Sequence, residues 1–150
     1  MNGLALYMFG SLLEQVWGGA PYLVFFLVCV IGGGLMQAWW TGTPIGNEVS
    51  VTLGASGGVF GILAAFAVLF PRHKVLLLIP PVPMPAWLLV TLFAIASTVL
   101  GVTGMAAGIA HFAHLGGLLA GLLMYGLVAR RWWRPGQMPA AWQMPPRPEE

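Results

Sequence analysis

Gly54-Ala55-Ser56-Gly57-Gly58 stands at the head of an apolar segment that runs to Phe70, and the rest of the chain is read outward from it. Ser56 follows a glycine-containing stretch and opens a helix, where the first four backbone N–H groups have no intrahelical partner. Those donors, at the positive end of a helix, can stabilise an oxyanion that forms beside a hydroxyl. Gly54 and Gly57 carry no Cβ, so a substrate backbone can come close. The same stretch also has a packing reading. Gly54 with Gly58, and Gly57 with Gly61, fit the small-xxx-small spacing of closely packed membrane helices.

The surrounding composition places that helix in a bilayer. Of 150 residues, 59% are hydrophobic and only 7% charged, with mean hydropathy +0.86. A soluble domain carries about 25% charged residues, so this chain cannot cover its own surface with polar groups. Five apolar segments are expected to be helices: about Gly3 to Trp17, Pro21 to Trp40, Ser56 to Phe70, Ala86 to Val102 and Ile109 to Ala129. Membrane strands would need alternating polar positions, which are missing. Gly18-Gly19, the stretch Thr41 to Val49, and Gly101 to Gly108 break the pattern. Pro71 ends the third segment, and Pro80, Pro81, Pro83 and Pro85 keep the next connection from being helical.

Residues 1–130 are therefore expected to form one all-α, polytopic membrane domain, and 131–150 a disordered, Pro-rich cytoplasmic tail. Trp132 and Trp133 suit an interfacial anchor. Arg72 and Lys74 follow the third segment, and Arg130, Arg131 and Arg134 follow the fifth. Both ends belong on the cytoplasmic side, here of a bacterial cytoplasmic membrane, and Ser56 then starts its helix from the outer side. A formal charge of +2 gives no grounds for a nucleic-acid partner. Cys29 is the single cysteine and sits in an apolar segment, so no disulfide framework is possible and it reads as a small core hydrophobe. Met1 to Trp17 lack a basic start and a cleavage site, which argues against a signal peptide. The chain opens directly inside an apolar segment, as if an upstream part were missing.

A hydroxyl that acts as nucleophile needs a base within hydrogen-bond reach. His114, near the outer turns of the fifth segment, has Gly117 and Gly121 at i+3 and i+7. That smooth face permits close approach to a helix carrying Gly57, Gly61 and Ala64. A buried histidine can also serve simply as packing glue. His111 lies one turn away, and spacing alone leaves open which imidazole is the base. No Asp, Glu or Cys lies near the histidine pair in sequence, and His73 is on the other side. No metal site and no cofactor are expected.

These residues resemble the rhomboid intramembrane serine proteases. That family is marked by Gly-x-Ser-Gly at the start of one membrane helix and Ala-His-x-x-Gly-x-x-x-Gly in its last core helix. Gly54-Ala55-Ser56-Gly57 and Ala113-His114-x-x-Gly117-x-x-x-Gly121 match both. Asn2, Gly10, Leu13 and Glu14 fall at the intervals of the family's second membrane helix, and Phe60 resembles the aromatic residue that packs on its histidine. The similarity covers about residues 2 to 130. It implies a Ser56–His114 dyad with Ser56 as nucleophile and His114 as general base and acid. Asn2 would help to hold the oxyanion, and Glu14 would be structural. The loops Thr41 to Ser50 and before His111 would form the rim of a water-filled cavity. Transmembrane protein segments would be the substrates, within a lipid bilayer.

The chain departs from the family pattern at its start. The family's first helix, and a histidine four residues before the matched Asn, would lie upstream of Met1, and Gly3 stands where an apolar residue is usual. Lower activity than in a chain with that upstream helix is the expected consequence. A rhomboid-like pseudoprotease that binds transmembrane clients is the alternative. A small transporter or channel is disfavoured, because Glu14 and Glu48 are the only acidic residues near the membrane segments.

Overall fold

A computed structural model describes residues 2–44, 55–78, 81–105 and 109–132. Its elements are α1 (Asn2–Ala5), a π-helical turn (Leu6–Gly10), α2 (Ser11–Trp17), α3 (Gly19–Thr41), α4 (Ser56–Leu69), β1 (Lys74–Leu78), β2 (Pro81–Pro85), α5 (Ala86–Thr103), α6 (His111–Leu127) and a final 3₁₀ turn (Ala129–Trp132). The first segment, taken as α1, the π turn and α2 together, makes five helical segments, as expected. Gly54, most of the 41–50 loop, residues 106–108 and nearly all of the tail lie outside the described residues.

The first segment differs from the expectation of a plain helix. Ser11 donates its backbone N–H to the Leu6 carbonyl, five residues back. The Tyr7 carbonyl is instead taken by the Ser11 hydroxyl. A side chain has replaced one rung of the ladder, and the turn widens around the replacement. Gly10 sits where the Tyr22 hydroxyl presses in from α3, and a Cβ there would overlap it. Gly18, at φ 88°, then reverses the chain into α3 in a backbone conformation that favours glycine.

The proline-rich connection after α4 is a two-stranded antiparallel hairpin, which the sequence announced only as non-helical. The register pairs Lys74 with Pro85, Leu76 with Pro83 and Leu78 with Pro81. Alternate residues of a strand aim their N–H groups to opposite sides. All three prolines therefore share the outward edge, where a missing donor costs nothing, and Val82 and Met84 face the ladder. The His73 carbonyl accepts the Ala86 N–H at 2.9 Å and joins the hairpin to the start of α5.

Helices α3 and α5 are long and apolar enough to cross a membrane, while α4 and α6 are shorter and apolar. Their outer faces fit a lipid environment. Leu23, Leu27, Ile31, Leu35 and Trp39 form an exposed i, i+4 ridge along α3, with Leu35 67% exposed. Ile95, Val99 and Val102 do the same on α5. Soluble proteins rarely leave apolar ridges of this extent to water. On α5 the hydroxyls of Thr91, Thr98 and Thr103 donate to carbonyls one turn back at 2.7–2.8 Å, which keeps them satisfied without water.

Helix α4 is the central post: every residue from Gly57 to Ala67 except Phe60 is buried. Its Ile62 and Phe66 form the core with Leu13, Val16, Trp17, Phe25 and Cys29 around them. Cys29 is buried among them, as a small core hydrophobe. Trp132 packs edge-on against the buried Trp17, with centroids 6.0 Å apart, so it closes this end of the core rather than serving only as an anchor.

Candidate active site

Glycine sets how closely α4 and α6 approach. A Cβ on Gly117 would overlap the Gly57 carbonyl, and one on Gly121 would stand 2.7 Å from the Gly61 Cα. Gly57 opposes Gly117 and Gly61 opposes Gly121, so the two helices run parallel, with the first turn of α4 beside the second turn of α6. Ser56 is the first residue of α4 and His114 lies in the first turn of α6, at the same end of the bundle. Arg72 and Lys74, following α4, and Arg130 and Arg131, following α6, lie at the other end.

Both candidate side chains are half-buried. Phe60 lies one turn after Ser56, on the same face of α4. The His114 imidazole lies flat on the Phe60 ring, with centroids 4.2 Å apart and planes 3° from parallel. Stacks of this kind contribute about 0.5–1.5 kcal/mol beyond the area they bury. This contact brings the imidazole to the Ser56 side of α4. Among the described residues, no hydrogen bond joins the Ser56 hydroxyl to His114; the connection runs through Phe60. The i→i−4 ladder of α4 includes the Val59 N–H donating to the Ala55 carbonyl at 3.1 Å. The N–H groups of Ser56 and Gly57 stand ahead of that bond, at the helix end.

His111 points elsewhere. Its Cβ would meet a Cβ on Gly101 of α5 at 3.1 Å, and its ring is edge-on to His114 at 6.3 Å. It is buried, and its Nε2 has no hydrogen-bond partner among the described residues. Of the two histidines, His114 is the one in contact with α4. Asn2 heads α1, which touches α4, but its side chain is exposed and not bonded to Ser56 or His114 among the described residues. Glu14 lies in α2; its carboxylate would stand 3.4 Å from a Cβ on Gly19, at the turn into α3 and far along the chain from Ser56. Among the described residues, no group of three or more His, Cys, Asp or Glu is placed to hold a metal ion.

One polar residue beside the site was not singled out by the sequence reading. Gln37 in α3 is buried, and its Oε1 accepts the Ala113 backbone N–H at 3.1 Å. Gly33, one turn earlier, lies against the Ala113 carbonyl, 2.6 Å from where its Cβ would be. One turn later, Trp40 stacks on Phe112 at 3.9 Å. An amide inside an apolar helix was the available signal, because a polar group at membrane depth marks a partner or a site.

The Rhomboid domain family matches residues 1–131. The chain belongs to the rhomboid family. It is 36% identical over 126 residues to Rhomboid protein 1, mitochondrial, of Saccharomyces cerevisiae, covering 84% of this chain and 36% of that protein. It is 28% identical over 138 residues to Rhomboid protease AarA of Providencia stuartii, covering 82% of this chain and 48% of that one. Rhomboid-like protease 5 of Toxoplasma gondii matches at 31% over 117 residues, 75% of this chain and 12% of its own length. The chain thus spans between about a third and a half of the first two relatives. No solved structure matches significantly. As a rhomboid, the protein is an integral membrane protein, and its helical bundle with exposed apolar ridges agrees with that family. One relative is named as mitochondrial, so the similarities give no support to a bacterial cytoplasmic membrane in particular.

Proposed function

We propose that this rhomboid is an intramembrane serine endopeptidase, with Ser56 as nucleophile and His114 as general base and acid. The supporting observation is the His114 ring laid on Phe60, one turn below Ser56, at the shared end of two helices whose backbones touch. A rotation of the Ser56 side chain towards the imidazole would complete the pair, as catalytic hydrogen bonds often tighten only when substrate binds.

In this reading the Ser56 Oγ attacks a peptide carbonyl of a transmembrane or membrane-proximal segment, and its proton passes to His114. The carbonyl oxygen becomes an oxyanion facing the N–H groups at the head of α4, helped by the Asn2 amide. Collapse breaks the C–N bond, and the imidazolium gives its proton to the leaving amine. Water, deprotonated by His114, then attacks the acyl-enzyme; the ester C–O bond breaks and His114 returns its proton to the Ser56 Oγ. Every step is proton transfer and acyl transfer, so the proposal needs no metal and no cofactor. Residues 1–130 act as one membrane domain. The end bearing Arg72, Lys74, Arg130 and Arg131 faces the cytoplasm or an equivalent compartment, and Ser56 opens towards the other side.

A fluorophosphonate probe tests the proposal directly. The purified protein should be labelled at Ser56, and Ser56→Ala should remove the label. The second reading, a client-binding pseudoprotease, draws on the missing Ser56–His114 hydrogen bond. It gains if the folded wild type stays unlabelled while a transmembrane peptide still binds with unchanged affinity in Ser56→Ala.

A further inference from the structure

We infer that Gln37 is a positioning residue that caps α6 from the neighbouring helix and thereby holds His114 at the Ser56 side of the bundle. This rests on the reading of His114 as the base. Helix α6 begins without a cap of its own. The residue before it, Ala110, has no side-chain acceptor, and no side-chain bond is made there. A helix start normally satisfies the N–H of its second or third residue with a Ser, Thr, Asp or Asn oxygen. Here the third residue, Ala113, finds that oxygen on α3: its N–H donates to Gln37 Oε1 at 3.1 Å in a buried setting. The same N–H also reaches the Ala110 carbonyl at 3.0 Å, a shared bond of the kind common at helix ends.

The bond does more than give that N–H a second acceptor, because Ala113 directly precedes His114. Gly33 lets α3 lie against the Ala113 carbonyl, and Trp40 stacks on Phe112. Gly33, Gln37 and Trp40 recur at i, i+4 and i+7, so one stripe of α3 grips the two residues in front of the imidazole. Rotation of α6 about its axis would carry the His114 ring off Phe60, and the stripe opposes that rotation. Of its three members Gln37 makes the directional contact, since a hydrogen bond depends on angle where a glycine contact or a ring stack tolerates sliding.

The test compares Gln37→Leu, which keeps bulk but loses the acceptor, with Gln37→Glu, which keeps an oxygen in place. The readouts are the rate of fluorophosphonate labelling at Ser56, KM and kcat on a transmembrane reporter peptide, and the detergent unfolding temperature. Misplacing a catalytic group by about 1 Å can cost about 100-fold. Gln37→Leu is expected to slow labelling and kcat by about 10- to 100-fold with KM within about 3-fold, and Gln37→Glu to recover most of the loss. The inference is overturned if Gln37→Leu labels at the wild-type rate, or if Gln37→Glu is as slow as Gln37→Leu. It is equally overturned if Gln37→Leu slows labelling only in proportion to the folded protein lost. Wild type that fails to label at all overturns the protease reading instead, so the two failures are distinct.

Discussion

Against α4, helix α6 lays down Gly117 and Gly121, and backbone meets backbone; against α3, Gly116 makes a similar contact with Gly32 and Gly33, but there side chains also close on the Ala113 N–H and the Phe112 ring. The glycines set how close the helices come at both interfaces, and the hydrogen bond and ring stack on α3 set how α6 is turned about its axis. A reactive pair split between two helices needs both, since closeness without the right rotation would aim the imidazole at lipid. The glycine face has no direction of its own, because two smooth surfaces can slide. The hydrogen bond and ring stack on α3 have direction but little reach. Each supplies what the other lacks.

The comparison would break first at the chemistry. Ser56→Ala should abolish fluorophosphonate labelling, and His114→Ala should reduce turnover of a transmembrane reporter by about 10⁴-fold or more, since members of a catalytic unit fail together. Ser56→Ala should unfold close to wild type, and His114→Ala should lose only about the 1 kcal/mol of its stack on Phe60, far too little to account for the loss of turnover. Activity retained in His114→Ala would remove the reason for treating the rotation of α6 as functional.

Next in size is the glycine face. Gly117→Ala places a methyl against the Gly57 backbone, which has no flexible end to yield. Forcing extra bulk into a packed interface costs about 1–3 kcal/mol, and the helices must part to admit it. The expected outcome is a lower unfolding temperature in detergent together with much slower labelling. Gly126→Ala is the control on the same helix: nothing lies within 4 Å of the added carbon. It should be neutral, or stabilising by up to about 1 kcal/mol, through its better helix propensity. Equal losses in the two variants would mean that close approach is not what Gly117 provides.

A smaller effect is expected at Phe60, where the two faces meet. Phe60→Leu removes the flat surface under His114 but keeps an apolar side chain. Losing a stack of about 1 kcal/mol should lower stability by about that much. It should slow labelling by roughly 10-fold, read as a fall in kcat at similar KM, because the imidazole loses its seat rather than its chemistry. A variant with wild-type labelling would show that α3 alone orients the ring.

The two faces also differ in how far the sequence disclosed them. Gly57 with Gly61, and Gly117 with Gly121, repeat at helical spacing in segments whose ends fall within one or two residues of α4 and α6. Their closeness was therefore readable, and Ser56 and His114 stood out as polar groups at the outer ends of apolar runs. Gln37 was not picked out. It is one amide in a 23-residue helix, in no motif, and its partner is a backbone N–H that has no signature in sequence. The hairpin after α4 was hidden for another reason. Proline signals only that helix stops, and the alternation of Pro81, Pro83 and Pro85 becomes meaningful once a partner strand supplies the register. The π turn at Leu6–Gly10 depends on which donor reaches the Tyr7 carbonyl, and hydrophobic pattern carries no information about that choice.

The smallest expected effect concerns His111, which belongs to neither face. Spacing alone left it level with His114, and the fold separates them: His114 lies on Phe60 of α4, whereas His111 is turned towards Gly101 of α5. Its buried Nε2 has no partner among the described residues, so an apolar side chain of similar size gives up no hydrogen bond there. His111→Leu should therefore leave Ser56 labelling within about 3-fold of wild type and shift stability by no more than about 1.5 kcal/mol, the scale of a tolerated core swap. A loss of labelling as deep as that of His114→Ala would show that the imidazole facing α5 does the work, and the two-faced account of α6 would then describe packing without catalysis.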